Sequence, residues 1–473
     1  MPELPYPGGV VDGGGRLILG GCYATDLARH FGTPLYVVDE GVLRSRCRAY
    51  AGAFAAGFPQ SRVAYAAKAF LTADMCRLVE AEGLWLDVNS AGEIAMALSA
   101  GFPPARMLFH GNNKTPAEVR LAIESRVARI IVDSLWELEL VARLAAQAGR
   151  TAHILLRLAP GVRADTHAYV QTGLADGKFG LAIAGKNGTC AAEVAAAMAI
   201  ASPHLRFYGV HVHVGSQLLD LRPLREAARR AVRFAASISE RCGWRLEELD
   251  LGGGLGAPYT SETPPTITAL AAALARVVKA ECRAAGIPVP AVLVEPGRSI
   301  VAEAGTTLYT VGGTKVTPHG PAFLSVNGGM GDNPRVALYG ARYRVVVADR
   351  VTAPPARAYH VVGRYCESGD AIAFDCPLPQ VRAGDILAVF ATGAYHHAMA
   401  STYNLVPRPA IVVVDNGWAR LSVRRESLDD LLRREVGPGE AQAVCLGPAG
   451  AHAGAVAAEV AATGEEETSS LVH

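Results

Sequence analysis

Residues 62–110 read RVAYAAKAFLTADMCRLVEAEGLWLDVNSAGEIAMALSAGFPPARMLFH. Three short apolar runs, Arg62–Ala67, Leu84–Val88 and Arg106–His110, are separated by longer stretches in which Ala and Leu alternate with charged residues. Runs this short have strand length, and the segments between them have the length and periodicity of helices. The rhythm continues through Arg129–Val132, Ala152–Leu158, Phe207–Val214, Leu246–Leu251 and Ala291–Glu295, with helical pattern in Glu118–Glu124, Leu135–Ala148 and Arg222–Ser239. Eight β/α units in succession predict an α/β fold, a closed parallel TIM (β/α)8 barrel over residues 42–305. A doubly wound open sheet is the alternative.

Beyond residue 305 the texture changes. Thr307–Val311, Ala322–Asn327, Tyr343–Arg350, Tyr359–Gly363, Asp385–Ala391 and Ala410–Asp415 are short and rich in β-formers, with Gly and Pro between them. They predict a C-terminal antiparallel β domain over residues 306–437. Residues 1–41 form an N-terminal segment, and Gly32–Val38 within it is expected to join that domain as a further strand. Residues 438–473 are mostly Ala, Gly and Glu without periodicity and are expected to be a disordered tail.

The 473 residues carry a net charge of +1, which leaves no basic field for nucleic acid and no basic strip for a membrane surface. A small-molecule partner is expected instead. The nine cysteines are odd in number and include no C-x-x-C pair, the pattern of a reduced cytoplasmic protein rather than a disulfide scaffold or zinc module. Met1–Leu17 has neither the basic nor the apolar region of a secretory signal. Ala191–Ala201 is too short to span a bilayer and reads as a buried helix face.

A TIM barrel carries its chemistry at the C-terminal ends of its strands. Polar residues converge there at nearly every strand: Lys68 after the first; Asp87, Asn89 and Glu93 at the second; His110 to Lys114 at the third; Asp133 at the fourth; Arg157 near the end of the fifth. The sixth closes with His211, His213, Gly215, Ser216 and Gln217, the seventh with Gly252–Gly254, and the eighth with Glu295-Pro-Gly-Arg298. Each residue has an ordinary reading as well. Lys68 is either an amine nucleophile made neutral by low-dielectric walls, or a lysine snorkelling from a strand end. The glycines either offer bare N–H groups to a phosphate or make a tight turn; a dinucleotide fingerprint is disfavoured because Pro258 and Tyr259 follow them. Glu295 and Arg298 either pair with each other or serve a heteroaromatic nitrogen and an anion. His211 and His213 face the same way, but no third ligand has spacing suited to zinc, so no metal is expected. In the C-terminal region, Cys366-Glu367-Ser-Gly-Asp370 sets a thiol beside carboxylates or is a buried structural cysteine; Gly393-Ala-Tyr395 sets a tyrosine in a Gly-led turn, which by itself is packing; and Asn333-Pro-Arg335 through Tyr343 is dense in groups that hold carboxylates, or is a solvated loop face.

Taken in order, Tyr65-Ala-Ala-Lys68, His110-Gly-Asn-Asn-Lys114, Lys178-Phe-Gly180, His211-Val-His-Val-Gly-Ser-Gln217, the loop at 252–256, Glu295-Pro-Gly-Arg298, Cys366-Glu-Ser-Gly-Asp370 and Gly393-Ala-Tyr395 resemble the fold-type III pyridoxal-phosphate decarboxylases, and most closely the diaminopimelate decarboxylases. The resemblance runs from about Tyr23 to about Glu435. It implies pyridoxal 5'-phosphate as cofactor, held by Lys68 as a Schiff base, with His213 stacked on the ring and Glu295 paired with the ring nitrogen. Ser216, Gly253, Gly254, Arg298 and Tyr395 would surround the phosphate, and Asp87 and Glu93 would support the ring and the lysine. Arg298, Arg335, Tyr339 and Tyr395 would bind substrate. A homodimer is implied, with Cys366 and Glu367 crossing to the other subunit's site, Cys366 to protonate product and Glu367 to read the distal amine. The implied reaction is decarboxylation of meso-2,6-diaminopimelate at its D-centre, giving L-lysine and CO2, the last step of lysine biosynthesis. The alternative is a paralogue acting on ornithine, arginine or a carrier-bound glutamate. An alanine racemase shares the barrel and cofactor but leaves Glu295 and the Cys366 cluster unexplained, and a non-catalytic relative would not need Lys68.

The sequence departs from the family pattern at Asn327, where aspartate is usual, at Gly331, where asparagine is usual, at Ala91, where glycine is usual, and at His396 and His397.

Overall fold

A computed structural model describes residues 9–163, 177–184 and 190–437. The expected tail, 438–473, lies outside the described residues.

The eight expected barrel strands form as Ser61–Ala66, Trp85–Val88, Met107–Phe109, Arg129–Val132, Ala152–Ala159, Leu205–Val212, Glu248–Asp250 and Ala291–Val294. Each pairs in parallel with the next, and the eighth closes onto the first through Val292–Ser61 to Val294–Val63. The open-sheet alternative is thereby excluded. A short strand that the sequence reading lacked, Leu181–Ala182, pairs in parallel beside the end of the fifth at Leu158 and Ala159. Helix starts follow from local chemistry. Thr72, Ser90, Ser134 and Thr266 each cap a helix by accepting the N–H three residues on. Thr115 does the same in a reciprocal capping box with Glu118, with Pro116 in the first turn. Each cap satisfies orphan N–H groups immediately beyond a strand-end loop, so the loop length at the barrel mouth is set sharply.

Period-two alternation along the strands sorts side chains into layers within the barrel. Near the strand starts lie Arg62, Arg129, Tyr208 and Glu248. Ala64, Leu108 and Leu293, packed with Trp85, make a thin apolar layer of their own. Beyond it lie Asp87, His110, His211, Asp250 and Glu295, every one buried. The outward faces of the same strands (Val63, Tyr65, Leu86, Phe109, Val132) pack against the helices in one continuous core.

The second sheet is centred on Gly305–Val316. This strand pairs antiparallel with Leu35–Asp39, Ile386–Phe390 and Ala322–Val326. The sheet is mostly antiparallel, but two pairings are parallel: Leu35–Asp39 with Ala410–Asp415, and Ala322–Val326 with Arg357–Val362. The strand expected from residues 32–38 is therefore central rather than peripheral. Two strands were not anticipated, Ala371–Leu378 and Trp418–Val423. Residues 9–23 add a small three-stranded sheet. Within residues 426–473, a separate unit, the described structure is a short helix, Leu428–Leu432, capped by Ser427.

Candidate active site

The floor of the C-terminal mouth is a buried quartet of two imidazoles and two carboxyls. His110 Nε2 lies 2.5 Å from Glu295 Oε1 and His211 Nε2 lies 3.2 Å from Glu295 Oε2. Asp250, at the end of the seventh strand, completes the group, and the donor atoms of all four lie within 4.8 Å of one another. Linear spacing therefore failed to show additional potential metal ligands that the barrel brings together. Burial opposes ionisation of both carboxyls, but the outcomes differ. The two imidazoles hold Glu295 well below the usual carboxylate range. Asp250 is pushed well above it, first by burial and then by the Glu295 charge. Burial likewise lowers His211 to about 4, so its ring is neutral. Two atoms in this floor have no hydrogen-bond partner, His211 Nδ1 and Asp250 Oδ2. Asp250 Oδ1 accepts from Gly252 N–H at 2.9 Å and so ties the floor to the glycine loop.

Lys68 sits in a short 3-10 turn, Ala67–Ala69, immediately after the first strand. Its side chain is 45% exposed to the open mouth, and Nζ lies 3.5 Å from buried Asp87. The expectation of a lysine made neutral by its surroundings is corrected here. Burial does act to lower its pKa, but Asp87, Tyr395 and Glu295 together outweigh it and hold the ammonium at about 12. Asn89 donates to Asp87 (3.3 Å) and its backbone N–H donates to Glu93 (2.6 Å), so the carboxylate facing Lys68 and the following helix start form one network.

The glycines at 252–254 are required by close approach. Gly252 and Gly254 have φ of 62° and 120°, the region that disfavours side chains. A Cβ at Gly253 would collide with the Glu295 carbonyl, and one at Gly254 would meet the Gly215 carbonyl. Beside this loop, Arg298 donates to Ser216 Oγ through Nε and Nη2, each at 3.2 Å, and to Tyr259 Oη at 2.5 Å. Gly253 N–H donates to His213 Nδ1 at 3.2 Å. His213 itself is held well below the ordinary imidazole value, first by burial and then by Lys68 and Arg157. Its ring is therefore neutral at pH 7.

Tyr395 connects this cradle to the second sheet. Its N–H donates to the Ala69 carbonyl at 2.7 Å, which places it next to Lys68. The guanidinium of Arg298 lies 4.9 Å from its ring centre and that of Arg335 lies 5.3 Å from it. Arg335 also stacks on Tyr339 at 5.0 Å and donates to Tyr343 Oη at 3.2 Å. Lys68, Asp87, Glu295, His213, Ser216, Gly253, Gly254, Arg298, Tyr395, Arg335 and Tyr339 thus belong to one connected constellation. Cys366 and Glu367 do not join it within the chain. Both are exposed, the Cys366 N–H donates to Asn404 at 3.1 Å, and no ion pair or side-chain hydrogen bond among the described residues runs from either to Lys68, Glu295 or Arg298.

Other motif residues have structural work. Lys114 is buried, with Nζ on Glu137 (2.5 Å), the Ile131 carbonyl (2.7 Å) and the Gly111 carbonyl (2.8 Å), so it anchors the third loop. Arg157 reaches Asp133 at 3.6 Å and covers the Phe179 ring at 4.3 Å. The departures from the family pattern are also accounted for locally. Asn327 donates to the Thr33 carbonyl (2.9 Å) and hydroxyl (2.8 Å) and accepts from Thr310 N–H (3.0 Å). An aspartate could not make both donations. Gly331 lies against Tyr365, where any Cβ would strike the phenol. Ala91 N–H donates to Glu118 (3.2 Å) at a helix start. His397 packs edge-on to Tyr36 and Phe70. His396 is fully buried edge-on to Tyr343, with Nδ1 on the Ala394 carbonyl at 3.0 Å.

Two participants escaped the sequence reading. Asp250 stands at a strand end directly before the glycine loop, so the rule that flagged its neighbours applied to it too. Tyr259 gave no local signal, because only the fold brings its hydroxyl to Arg298.

A family model described as "Pyridoxal-dependent decarboxylase, pyridoxal binding domain" matches residues 41–302. The chain is 47% identical over 426 residues to the diaminopimelate decarboxylase of Actinosynnema pretiosum subsp. auranticum, covering 89% of this chain and 93% of that one. It is 42% identical over 423 residues to that of Bacillus subtilis, covering 89% and 95%. Among solved structures, the diaminopimelate decarboxylase of M. jannaschii in complex with L-lysine superposes with a TM-score of 0.86 at 34% identity, covering 93% of this chain and all of that one (100%).

Proposed function

The chain belongs to the pyridoxal-dependent decarboxylases, among the diaminopimelate decarboxylases, and from that premise we propose that it converts meso-2,6-diaminopimelate to L-lysine and CO2 with pyridoxal 5'-phosphate as cofactor. The observation that carries this reading is the convergence of an accessible Lys68, an ionised buried Glu295 and a side-chain-free glycine cradle in one barrel mouth.

These residues fit the cofactor. Gly253, Gly254, Ser216, Arg298 and Tyr395 offer a bare backbone and charged donors to a phosphate. Glu295, held ionised by His110 and His211, is the partner a protonated ring nitrogen requires. His213 offers a neutral ring face, and Lys68 offers the amine for covalent attachment, steadied by Asp87. Bound there, pyridoxal phosphate supplies the electron sink that decarboxylation of an amino acid needs. The protein's own part is to bind, orient and manage protons. Arg335 and Tyr339, with Arg298 and Tyr395, hold a substrate carboxylate. Asp87 keeps Lys68 protonated between attachments. Glu295, held ionised by His110 and His211, would keep the ring nitrogen protonated.

Cys366 and Glu367 are exposed in their own subunit, which suits a homodimer in which Cys366 of the partner subunit returns a proton to carbon and Glu367 of the partner subunit reads the distal amine. The absence of a membrane-spanning helix among the described residues and the eight described cysteines, all unpaired, suit a cytoplasmic enzyme. The departures at Asn327, Gly331 and Ala91 are occupied with packing and hydrogen bonds of the scaffold and give no support to a paralogue for ornithine, arginine or a carrier-bound glutamate. Product analysis with the holoenzyme tests the reading. Lysine and CO2 are expected from meso-diaminopimelate, with no turnover of ornithine, arginine or lysine; turnover of one of these without diaminopimelate would reassign the substrate. Mixing Lys68→Ala with Cys366→Ala subunits is expected to restore activity in heterodimers, and stable inactive heterodimers would refute the shared site.

A further inference from the structure

The opposite mouth of the barrel holds a cavity of about 590 Å3 between the starts of several strands. Arg62, Arg129, Arg206 and Arg245 line it, against two carboxylates, Glu247 and Glu248. Arg129 grips Glu248 through Nε and Nη2, both at 2.7 Å, and Arg62 shares the same carboxylate at 2.7 Å. Arg206 pairs with Glu247. Arg245 is exposed and has no ion pair or hydrogen bond among the described residues. Four guanidinium groups and two carboxylates leave two positive charges concentrated in one concave site, in a chain whose total is +1.

The arginines are also held in place. Arg129 lies 3.6 Å and Arg206 5.1 Å from the ring centre of Tyr208, and Arg62 lies 4.9 Å from that of Trp85. Stacking fixes the planes of the guanidinium groups, so less side-chain freedom is lost when an anion is met. His153, packed on Tyr208 at 5.3 Å, registers the local field: burial, then Arg129 and Arg206, lower its pKa. The apolar layer of Ala64, Leu108 and Leu293 separates this cavity from the Glu295 floor.

We propose that this cavity binds a small multivalent anion bearing phosphate or several carboxylates, at a site distinct from the catalytic mouth. A low-dielectric concave wall concentrates the field of the uncompensated arginines. Arg245, with the free arms of Arg62 and Arg206, supplies convergent charge-assisted donors, while the Arg129–Glu248 pair forms a rigid base.

Isothermal titration of the pyridoxal-phosphate-loaded protein with inorganic pyrophosphate and, separately, with citrate tests this at constant ionic strength. One saturable site per chain is expected for at least one anion, and the tighter of the two identifies phosphate or carboxylate as the preferred group. Arg245→Gln combined with Arg206→Gln is expected to weaken it by about tenfold or more, with turnover and melting temperature unchanged. No saturable binding of either anion, or binding that the double variant retains at full strength, would overturn the proposal.

Discussion

The short strand Glu248–Asp250 has a carboxyl at each end, and the two barrel mouths treat them in opposite ways. Glu248 is clamped by Arg129 and Arg62, with good geometry on both oxygens. Asp250 is pushed upward by burial and by the like charge of Glu295, and keeps one oxygen without a partner. At the strand starts, each carboxylate is paired with arginine and positive charge is left over. At the strand ends, charges are crowded, displaced from their ordinary pKa values and left incompletely satisfied. Incomplete satisfaction of buried polar groups costs stability, and it persists where a bound group completes the set. The same eight strands thus separate a mouth built for chemistry from one built on arginine–carboxylate pairs with arginine in excess.

The largest effect that separates the two mouths is expected from Lys68→Ala, which should reduce turnover to background while leaving the melting temperature of the apoprotein within a few degrees of wild type. Next, Glu295→Gln should lower kcat by about a hundredfold or more, the scale for removing a charge placed to stabilise a developing one. Glu248→Gln should have the reverse profile. Breaking a buried pair leaves Arg129 uncompensated and should cost about 3 kcal/mol of stability in denaturant unfolding, with kcat near wild type. A large loss of kcat there, without loss of stability, would break the division between the mouths.

The smallest effect concerns pH. Burial and then Arg335 depress the His396 pKa to about 3, well below the value near 6.5 of an unfolded imidazole. Between those values the unfolded chain binds the extra proton, so the stability contributed by neutral His396 is complete above about pH 6.5 and is lost as pH falls toward 3. Neutral His211 acts in the same direction down to about 4, whereas Asp332, raised to about 7 by burial, acts in the opposite one. His396→Gln removes one contribution and leaves the others. Its melting temperature should therefore fall less steeply than that of wild type between pH 6.5 and 4, and parallel curves would contradict the assignment.

Much of this division was legible in the sequence because period-two alternation and strand ends are local signals. Lys68, Glu295 and the glycine loop could be named from position alone, and Ala410–Asp415 forms with the expected limits. Other features depend on three-dimensional proximity. The third and fourth members of the His110–His211–Asp250–Glu295 quartet come from strands far apart in sequence, and the charge on Lys68 is decided by Asp87 across a strand gap. Ala371–Leu378 was obscured by Asp375, at φ 51°, and Pro377, which interrupt its apolar pattern. Trp418–Val423 had a signal that went unused: Asn416-Gly417, both at positive φ, is the tight turn of a hairpin with the preceding strand. The parallel pairings of the second sheet, by contrast, have no local signature.

Reductive trapping tests the central claim most directly. The holoprotein is treated with borohydride and its peptides are mapped for a pyridoxyl group. The account predicts one modified residue, Lys68, and loss of the label in Lys68→Ala. A label on another lysine in the wild-type protein, or none after saturation with pyridoxal phosphate, would contradict it.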